Sequence, residues 1–267
     1  WTTLEKTTIR GVESYGMICA PAEVGFDKVI IGDHDIWDLG EITDAAAGTP
    51  IVKALDLDDV VFDVEITTNR PDAMSIVGLA REAAVAVEGK LMVDASSVAS
   101  KGNPGITVTI DDERCERYMA AVIENVKIGP SPWWMQKRLL LAGHKPVNTI
   151  VDITNYVLLE LGQPLHAFDA DQVHDNSLVV RAAKAGEWLT LLDGKVLQMD
   201  AGHLVIADAE GPLALAGVMG GFDSRTTETS TRIIFEAATF DSTSIRRTAR
   251  AVDIGSDSQL LFEKGLS

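Results

Sequence analysis

The first third of the chain combines strand-like and helical patterns. Residues 2–20 alternate β-branched and polar side chains, which predicts short strands joined by turns. An acidic, loop-rich stretch follows to about residue 57. The run DDVVFDVEI then predicts a strand, TTNRPD a turn, and AMSIVGLAREAAVAVEG a helix that ends at Gly89. The small and polar residues of 93–105 predict a linker.

The rest of the chain alternates strands and helices without an internal repeat. ITVTI and CERYMAAVIENVKI predict strands, and SPWWMQKRLLLAG predicts a helix with Ser131 as its N-cap. The runs LVVRAA, WLTLLDG, HLVIAD and RIIFEAA predict further short strands. STSIRRTARAV predicts a last helix, capped by Asp241 or Ser242. This mixture predicts an α+β fold with a mixed sheet.

Length and hydropathy set limits on the class of protein. A chain of 267 residues, 46% of them hydrophobic, is long enough for about two domains and a sizeable core. No apolar run approaches the ~18 residues that a membrane span requires, and we recognise no leader peptide. The chain begins with Trp1 rather than Met, which suggests an excised fragment. We therefore expect a cytoplasmic protein with no membrane partner.

Charge and cysteine content narrow the candidate chemistry further. A net charge of −17 argues against nucleic acid as a partner, because phosphates repel such a surface. The charge is uneven, however, since IRRTAR places Arg246, Arg247 and Arg250 close together. Cys19 and Cys115 lie far apart and show no zinc spacing, so we interpret both as small hydrophobic residues and expect no metal site.

The run VDITNYVLLELGQPLHAFD predicts a helix that stops abruptly before a single histidine. Asp152 is placed to cap this helix, Gly162 permits a left-handed end, and Pro164 prevents its continuation. One interpretation of the run is an amphipathic helix followed by a surface histidine. The other is a small catalytic cluster.

In the catalytic interpretation, polar residues at the start of the helix face the returning chain. Thr154 and Asn155 would then lie near His166 and could orient a water or a ribose hydroxyl. The sequence chemistry alone leaves both interpretations open.

Two further runs could contribute to a binding site. LALAGVMGG, residues 213–221, is either a tight strand–turn or a surface that lets a ligand approach the backbone. IIFEAATF places Glu236 in an apolar strand, where a carboxylate is costly unless it pairs with an arginine or binds something polar. We find no nucleophile elbow, no phosphate-binding Walker loop and no ATP site in the chain.

Five runs, taken in order, carry a family resemblance. They are IRGVESYGMICA, EITTNRPDAMSIVGLAREAA, SPWWMQKRLLLAGHKPVNTIVDITNYVLLELGQPLHAFD, LAGVMGG and EAATFDSTSIRRTAR. Together they resemble the β subunit of bacterial phenylalanyl-tRNA synthetase over nearly the whole chain. One such run could arise by chance, but five in sequence are specific.

The resemblance implies a multidomain α+β fragment with a β-rich, oligonucleotide-binding-fold (OB-like) remnant. Residues 1–57 resemble the C-terminal part of the tRNA-binding OB-fold module, and residues 58–92 resemble part of the small N-terminal domain. Residues 93–105 correspond to a linker, and residues 106–267 resemble the central interleaved editing module. This is the expected domain organisation.

The resemblance also implies an editing pocket that hydrolyses tyrosine from phenylalanine tRNA. A pocket that selects by apolar contacts discriminates only ~10²-fold against an added hydroxyl, so a second pocket must recognise that hydroxyl. The implied substrate-binding residues are Glu236 for the phenol, with Ala216, Gly217 and Ala238 making room for the ring. The implied catalytic residues beside the ester are Thr154, Asn155 and His166. We expect Glu236 and His166 to line opposite ends of one cavity.

The resemblance assigns the remaining partners to the complete enzyme. It implies a synthetase α subunit, an (αβ)₂ heterotetramer, and phenylalanine tRNA as a partner, with Arg246, Arg247 and Arg250 as possible RNA contacts or as structural ion pairs. ATP and Mg²⁺ are implied through the α subunit, and no cofactor is expected in this fragment. The alternative function is a non-catalytic RNA-binding or scaffold relative whose editing pocket is inactive.

Overall fold

The computed structural model describes residues 3–26, 35–93, 102 and 105–266. The chain divides into two compact units, Trp1–Phe62 with Ser131–Val147, and Asp63–Pro130 with Asn148–Ser267. The domain boundaries expected from the sequence remain predictions. Most of the expected linker, residues 93–105, lies outside the described residues.

The first unit is built from short elements and an aromatic cluster. Strands β1 (Thr7–Ile9) and β2 (Val12–Ser14) form an antiparallel hairpin, and the helices are α1 (Ile51–Ala54) and α3 (Trp133–Leu141). The ring of Phe26 lies 5.0 Å from that of Trp37 and 6.3 Å from that of Trp133. The hairpin confirms the strands predicted near the start.

Two predictions for the early part of the chain are wrong. Residues 57–67 form neither helix nor strand, so the strand predicted over DDVVFDVEI does not exist. Its β-branched side chains favour a strand only where a neighbouring strand packs against them, and Phe62 is exposed instead. The N-cap position of α3 is Pro132 rather than Ser131, and it makes no capping hydrogen bond through a side chain.

The second unit contains three sheets and four helices among the described residues. Its helices are α2 (Ile76–Ala86), α4 (Thr149–Leu161), α5 (Ser242–Val252) and α6 (Asp257–Lys264). Its strands are β3 (Thr107–Ile110), β4 (Cys115–Glu124), β5 (Leu165–Asp169), β6 (Ser177–Ala182), β7 (Trp188–Thr190), β8 (Val196–Gln198), β9 (Leu204–Ala207), β10 (Pro212–Leu215), β11 (Met219–Gly220) and β12 (Arg232–Phe240).

The sheets of this unit are mostly antiparallel. The largest has the order β11-β10-β9-β6-β3, in which only the β3–β6 pair is parallel. A second sheet has the order β4-β12-β5, with β12 central, and β7 pairs with β8. Buried side chains of both larger sheets, such as Phe168, Ile206 and Ile234, belong to one core. The α+β fold with a mixed sheet is therefore confirmed.

The helix ends show which capping predictions hold. Helix α4 begins one turn earlier than predicted, because the Asn148 side chain accepts hydrogen bonds from the N–H groups of Ile150 and Val151. Asp152 lies inside the first turn and is buried, so its prediction as the N-cap is wrong. Gly162 ends the helix with a φ of 77°, which confirms the left-handed end.

Helices α2 and α5 differ in how well their ends were predicted. The side chain of Asp241 caps α5 by accepting a hydrogen bond from the N–H of Ser244. Asp241 is one of the two residues that were predicted as alternative caps. Helix α2 ends at Ala86, earlier than predicted, and the N–H of Gly89 then donates to the carbonyl of Ala84. Helix α6 was not predicted from the sequence.

Candidate active site

A cavity of about 220 Å³ lies in the second unit, on the face of the three-stranded sheet that β5 and β12 share. Its lining is mainly apolar and comes from six segments of the chain. These residues are Pro164, Leu165, His166, Leu192, Ile206, Ala214, Leu215, Ala216, Gly217, Val218, Met219, Gly220, Glu236, Ser256, Ser258 and Phe262. Only Glu236 carries a carboxylate there, and only His166 an imidazole.

Glu236 is a buried carboxyl on the central strand β12. Its Oε2 atom accepts a hydrogen bond of 2.9 Å from the hydroxyl of Tyr118 on β4. No described residue donates a hydrogen bond to its Oε1 atom, and Glu236 is part of the cavity lining. Burial raises the pKa of Glu236 to about 7, although the bond from Tyr118 opposes this rise. The arginine pairing considered from the sequence does not form.

His166 lies directly beside Glu236, because the two residues are paired across the antiparallel strands β5 and β12. Its Nε2 atom is buried and has no hydrogen-bond partner among the residues that the structure describes. The imidazole meets the ring of Phe168 edge-on, with centroids 4.5 Å apart. Burial lowers the pKa of His166 to about 4, so the ring is neutral at physiological pH.

The register changes the expected arrangement of these two groups. Directly opposed residues of an antiparallel pair have Cβ atoms roughly 5 Å apart, so Glu236 and His166 enter the cavity from neighbouring positions on one sheet. The sequence analysis placed them at opposite ends of the cavity. A single polar group of a ligand can therefore approach both side chains.

The turn between β10 and β11 forms another wall of the cavity, and it depends on glycine. Gly217 has a φ of +66°, and a Cβ atom there would lie 2.7 Å from Cδ1 of Ile245. A Cβ atom on Gly220 would lie 2.3 Å from Cε1 of His166. Both positions therefore require a residue without a side chain. Ala216, beside Gly217, is buried and small. LALAGVMGG is thus both a tight strand–turn and a cavity wall.

Three predicted site residues lie outside the cavity lining. Thr154 and Asn155 are on α4, and the hydroxyl of Thr154 donates to the carbonyl of Val151 in its own helix. Ala238 is buried on β12, and its carbonyl accepts a hydrogen bond from Gln163. The structure thus brings together His166, Glu236, Ala216 and Gly217, and it does not bring Thr154, Asn155 and Ala238 to the same cavity.

The three arginines predicted as RNA contacts lie on the exposed side of α5. Arg246 forms an ion pair of 3.2 Å with Glu263. Arg247 lines a separate cavity of about 350 Å³ together with Arg114 and His203. Arg250 is exposed. The structural ion-pair alternative therefore describes Arg246, and the other two guanidinium groups reach the surface.

The sequence analysis missed the contribution of α6 to the cavity. Ser256 caps this helix by accepting from the N–H of Gln259, and both Ser256 and Ser258 line the cavity with Phe262. A signal for the helix was present, because Ser at the N-cap and Gln three residues later form the pattern of a capping box. Serine hydroxyls at this point give the apolar cavity a polar wall.

The two titrating groups predict opposite effects of pH on stability. The folded pKa of Glu236 is raised, so its contribution to stability is complete below the unfolded pKa and is lost as pH rises toward about 7. The folded pKa of His166 is lowered, so its contribution is complete above the unfolded pKa and is lost as pH falls toward about 4. In the wild-type chain these two slopes largely cancel.

Replacing Glu236 with glutamine should remove its contribution to the pH dependence of stability and leave that of His166. From pH 4.5 to 7.5, the free energy of unfolding of Glu236→Gln should rise relative to wild type by roughly 2–3 kcal/mol, because a shift of one pKa unit is worth ~1.4 kcal/mol. Urea unfolding at several pH values measures this difference. A difference that stays constant with pH would show that Glu236 is not strongly desolvated.

The described part of the chain holds neither a metal-binding cluster nor a membrane-spanning helix. No group of three or more His, Cys, Asp or Glu side chains there is arranged to hold a metal ion. None of the helices in those residues has the length and hydropathy of a membrane span.

The chain is similar to a domain family and to several curated proteins. The B3/4 domain family matches residues 114–267. The phenylalanine–tRNA ligase beta subunit of Anaeromyxobacter dehalogenans is 44% identical over 98% of the chain, and that of Clostridium acetobutylicum is 43% identical over 98%. The chain spans about one third of the length of these relatives, 33% in both cases.

A solved structure is also similar. It is an N-terminal fragment of the phenylalanyl-tRNA synthetase beta subunit from Pyrococcus horikoshii, with a TM-score of 0.41 and 16% identity. The similarity covers 73% of this chain and 63% of that one.

Proposed function

Because the chain belongs to the B3/4 domain family, we propose that it is the part of a phenylalanine–tRNA ligase beta subunit that removes wrongly attached tyrosine from phenylalanine tRNA. The reaction is hydrolysis of the ester between the tyrosine carboxyl group and the terminal ribose. Water adds to the ester carbonyl, the bond from the carbonyl carbon to the ribose oxygen breaks, and free tyrosine and tRNA leave.

The observation that carries this proposal is the buried carboxyl of Glu236 in the cavity lining, whose Oε1 atom accepts no hydrogen bond from a described residue. A buried carboxyl with a free acceptor atom favours a ligand that can donate a hydrogen bond. The other oxygen already accepts such a bond from the phenol of Tyr118, at 2.9 Å. Glu236 is therefore chemically suited to accept a second phenol, that of the substrate.

The size and lining of the cavity agree with an aromatic side chain. An apolar cavity of roughly 150 Å³ binds benzene, so a cavity of about 220 Å³ has room for a phenol. Ala216, Gly217 and Gly220 keep the wall next to the ring free of side-chain bulk. Phenylalanine would fill the same space but leave Oε1 of Glu236 without a donor, which disfavours it.

His166 is proposed to orient a polar group rather than to act as a strong base. Its lowered pKa of about 4 makes it a weak proton acceptor at physiological pH. Its unpartnered Nε2 atom can form one hydrogen bond with the substrate or with the attacking water. We also propose, from the family resemblance, that Thr154 and Asn155 act beside the ester. On the same basis, the small side chain of Ala238 leaves room for the ring.

The remaining proposals concern the whole enzyme. We propose that it joins phenylalanine to its tRNA in the cytoplasm as an (αβ)₂ heterotetramer, with ATP and Mg²⁺ used by the α subunit. On this chain Arg247 and Arg250 are the better candidates for phosphate contacts, since Arg246 is already paired with Glu263. Their surface positions suit contact with a tRNA backbone.

A direct assay tests the proposed reaction. The heterotetramer containing this chain should hydrolyse tyrosine-charged phenylalanine tRNA faster than the phenylalanine-charged form, and His166→Ala should slow the tyrosine reaction about tenfold, the value of one hydrogen bond. A crystal soaked with tyrosine should show the phenol at Glu236. Absence of hydrolysis, together with a cavity that excludes tyrosine, would favour the scaffold alternative.

A further inference from the structure

Tyr118 reaches Glu236 from the neighbouring strand without entering the cavity. On β4 it is paired with Ala238 of β12, while Glu236 is paired with Ala120. Tyr118 and Glu236 are thus diagonal neighbours, close enough for long side chains to touch. Tyr118 is buried, and it is absent from the cavity lining. Tyr118 therefore contacts Glu236 without belonging to the surface that a ligand in the cavity would touch.

The hydrogen bond between them has a fixed direction. Burial and the neighbouring carboxyl raise the pKa of Tyr118 well above its ordinary value, so the phenol keeps its proton. The hydroxyl donates to Oε2 of Glu236 over 2.9 Å. Because Oε2 is held in this way, rotation of the carboxyl group is restricted, and Oε1 is left as the oxygen that a ligand in the cavity can use.

We propose that Tyr118 is a positioning residue that holds Glu236 with its Oε1 atom presented to the hydroxyl of the substrate. This inference rests on the proposed function of the cavity. Tyr118 itself does not touch the substrate. Its contribution is to selectivity between tyrosine and phenylalanine, because only tyrosine uses the oriented oxygen.

Replacement of Tyr118 with phenylalanine tests this role with little change in volume. Deacylation by the heterotetramer should be measured with tyrosine-charged and phenylalanine-charged phenylalanine tRNA. In Tyr118→Phe, kcat/KM for the tyrosyl ester should fall about tenfold. This is the loss expected when the hydrogen bond between Glu236 and the substrate hydroxyl is no longer held in position. The kcat/KM for the phenylalanyl ester should stay within about twofold of wild type. If Tyr118 had only a structural role, its replacement would lower kcat/KM for both esters.

A double-mutant cycle separates this inference from the proposed function. In a Glu236→Ala background, Tyr118→Phe should produce no further loss of selectivity, because the residue that Tyr118 orients is gone. If Glu236→Ala removes selectivity but Tyr118→Phe does not, the positioning role is overturned and the proposed function stands. If Glu236→Ala leaves selectivity unchanged, the proposed function itself fails. Tyr15→Phe, at an exposed tyrosine of the first unit, serves as the matched control.

A pH profile gives a second readout. The ionisable groups facing Glu236 are Tyr118 and Cys115 on β4 and His166 on β5. All three are neutral near pH 7, since the pKa of Cys115 is raised to about 11 and that of His166 is lowered to about 4. Loss of the Tyr118 bond raises the pKa of Glu236 further. The ratio of the tyrosyl to the phenylalanyl rate should depend on pH through the ionisation of Glu236. The midpoint of that pH dependence should therefore move to higher pH in Tyr118→Phe, and an unchanged midpoint would contradict the positioning role.

Discussion

Replacing Glu236 with alanine is expected to abolish the preference for the tyrosyl ester and to leave hydrolysis of the phenylalanyl ester nearly unchanged. Above its pKa of about 7 Glu236 is ionised, so at such a pH the variant loses a charged acceptor for the substrate hydroxyl. A hydrogen bond to a charged group contributes roughly 1.5–3 kcal/mol. That range corresponds to about a 10- to 150-fold loss in kcat/KM. The cavity becomes larger and more apolar, which does not disfavour phenylalanine.

The ratio of the two deacylation rates measures this effect. Glu236→Gln should give an intermediate ratio, because the amide oxygen still accepts a hydrogen bond but carries no charge. Glu124→Ala is the matched control, since Glu124 is a largely exposed carboxylate on the adjacent strand β4. Equal loss for both esters in Glu236→Ala would indicate disruption of the fold rather than loss of hydroxyl recognition.

Local patterns predicted most of the second unit. The strands β3, β4, β6, β9 and β12 follow from runs of β-branched residues, and α4 and α5 follow from helical periodicity with recognisable end signals. The resemblance to the phenylalanyl-tRNA synthetase β subunit is confirmed by relatives that match nearly the whole chain. These features depend on residues close in sequence, where propensity and capping act directly.

The failures arise where tertiary contacts decide the outcome. The residues of DDVVFDVEI have strand propensity but form no strand, since no described strand pairs with them. Asn148 rather than Asp152 caps α4, although both are good capping residues by type. Sequence alone does not reveal which of two suitable residues adopts the extended backbone of an N-cap.

The candidate site was predicted by residue type better than by geometry. The costly burial of Glu236 in an apolar strand was visible in the sequence, and its partner was not, because Tyr118 lies 118 positions away. The side-by-side placement of His166 and Glu236 follows from the β5–β12 register. Register between distant strands depends on the packing of the whole core, so it could not be derived from local patterns.

Replacing Gly220 with alanine is expected to reduce hydrolysis of both esters by about 100-fold. The added Cβ atom would lie 2.3 Å from Cε1 and 2.8 Å from Nε2 of His166, so the imidazole must move. Phe168 contacts that ring edge-on and limits where it can go. A displacement of about 1 Å in a site can cost roughly 10²-fold in rate, and the narrowed cavity admits either aromatic ring less easily.

The comparison of the two substrates distinguishes this variant from Glu236→Ala, because Gly220→Ala should leave the ratio of their rates close to that of wild type. Gly211→Ala is the matched control, since a Cβ atom there meets nothing within 4 Å and its backbone is not left-handed. Thermal unfolding of both variants reports any loss of stability from overpacking, roughly 1–3 kcal/mol. Unchanged deacylation in a folded Gly220→Ala variant would show that substrate does not enter the cavity beside His166, and would count against hydrolysis at this site.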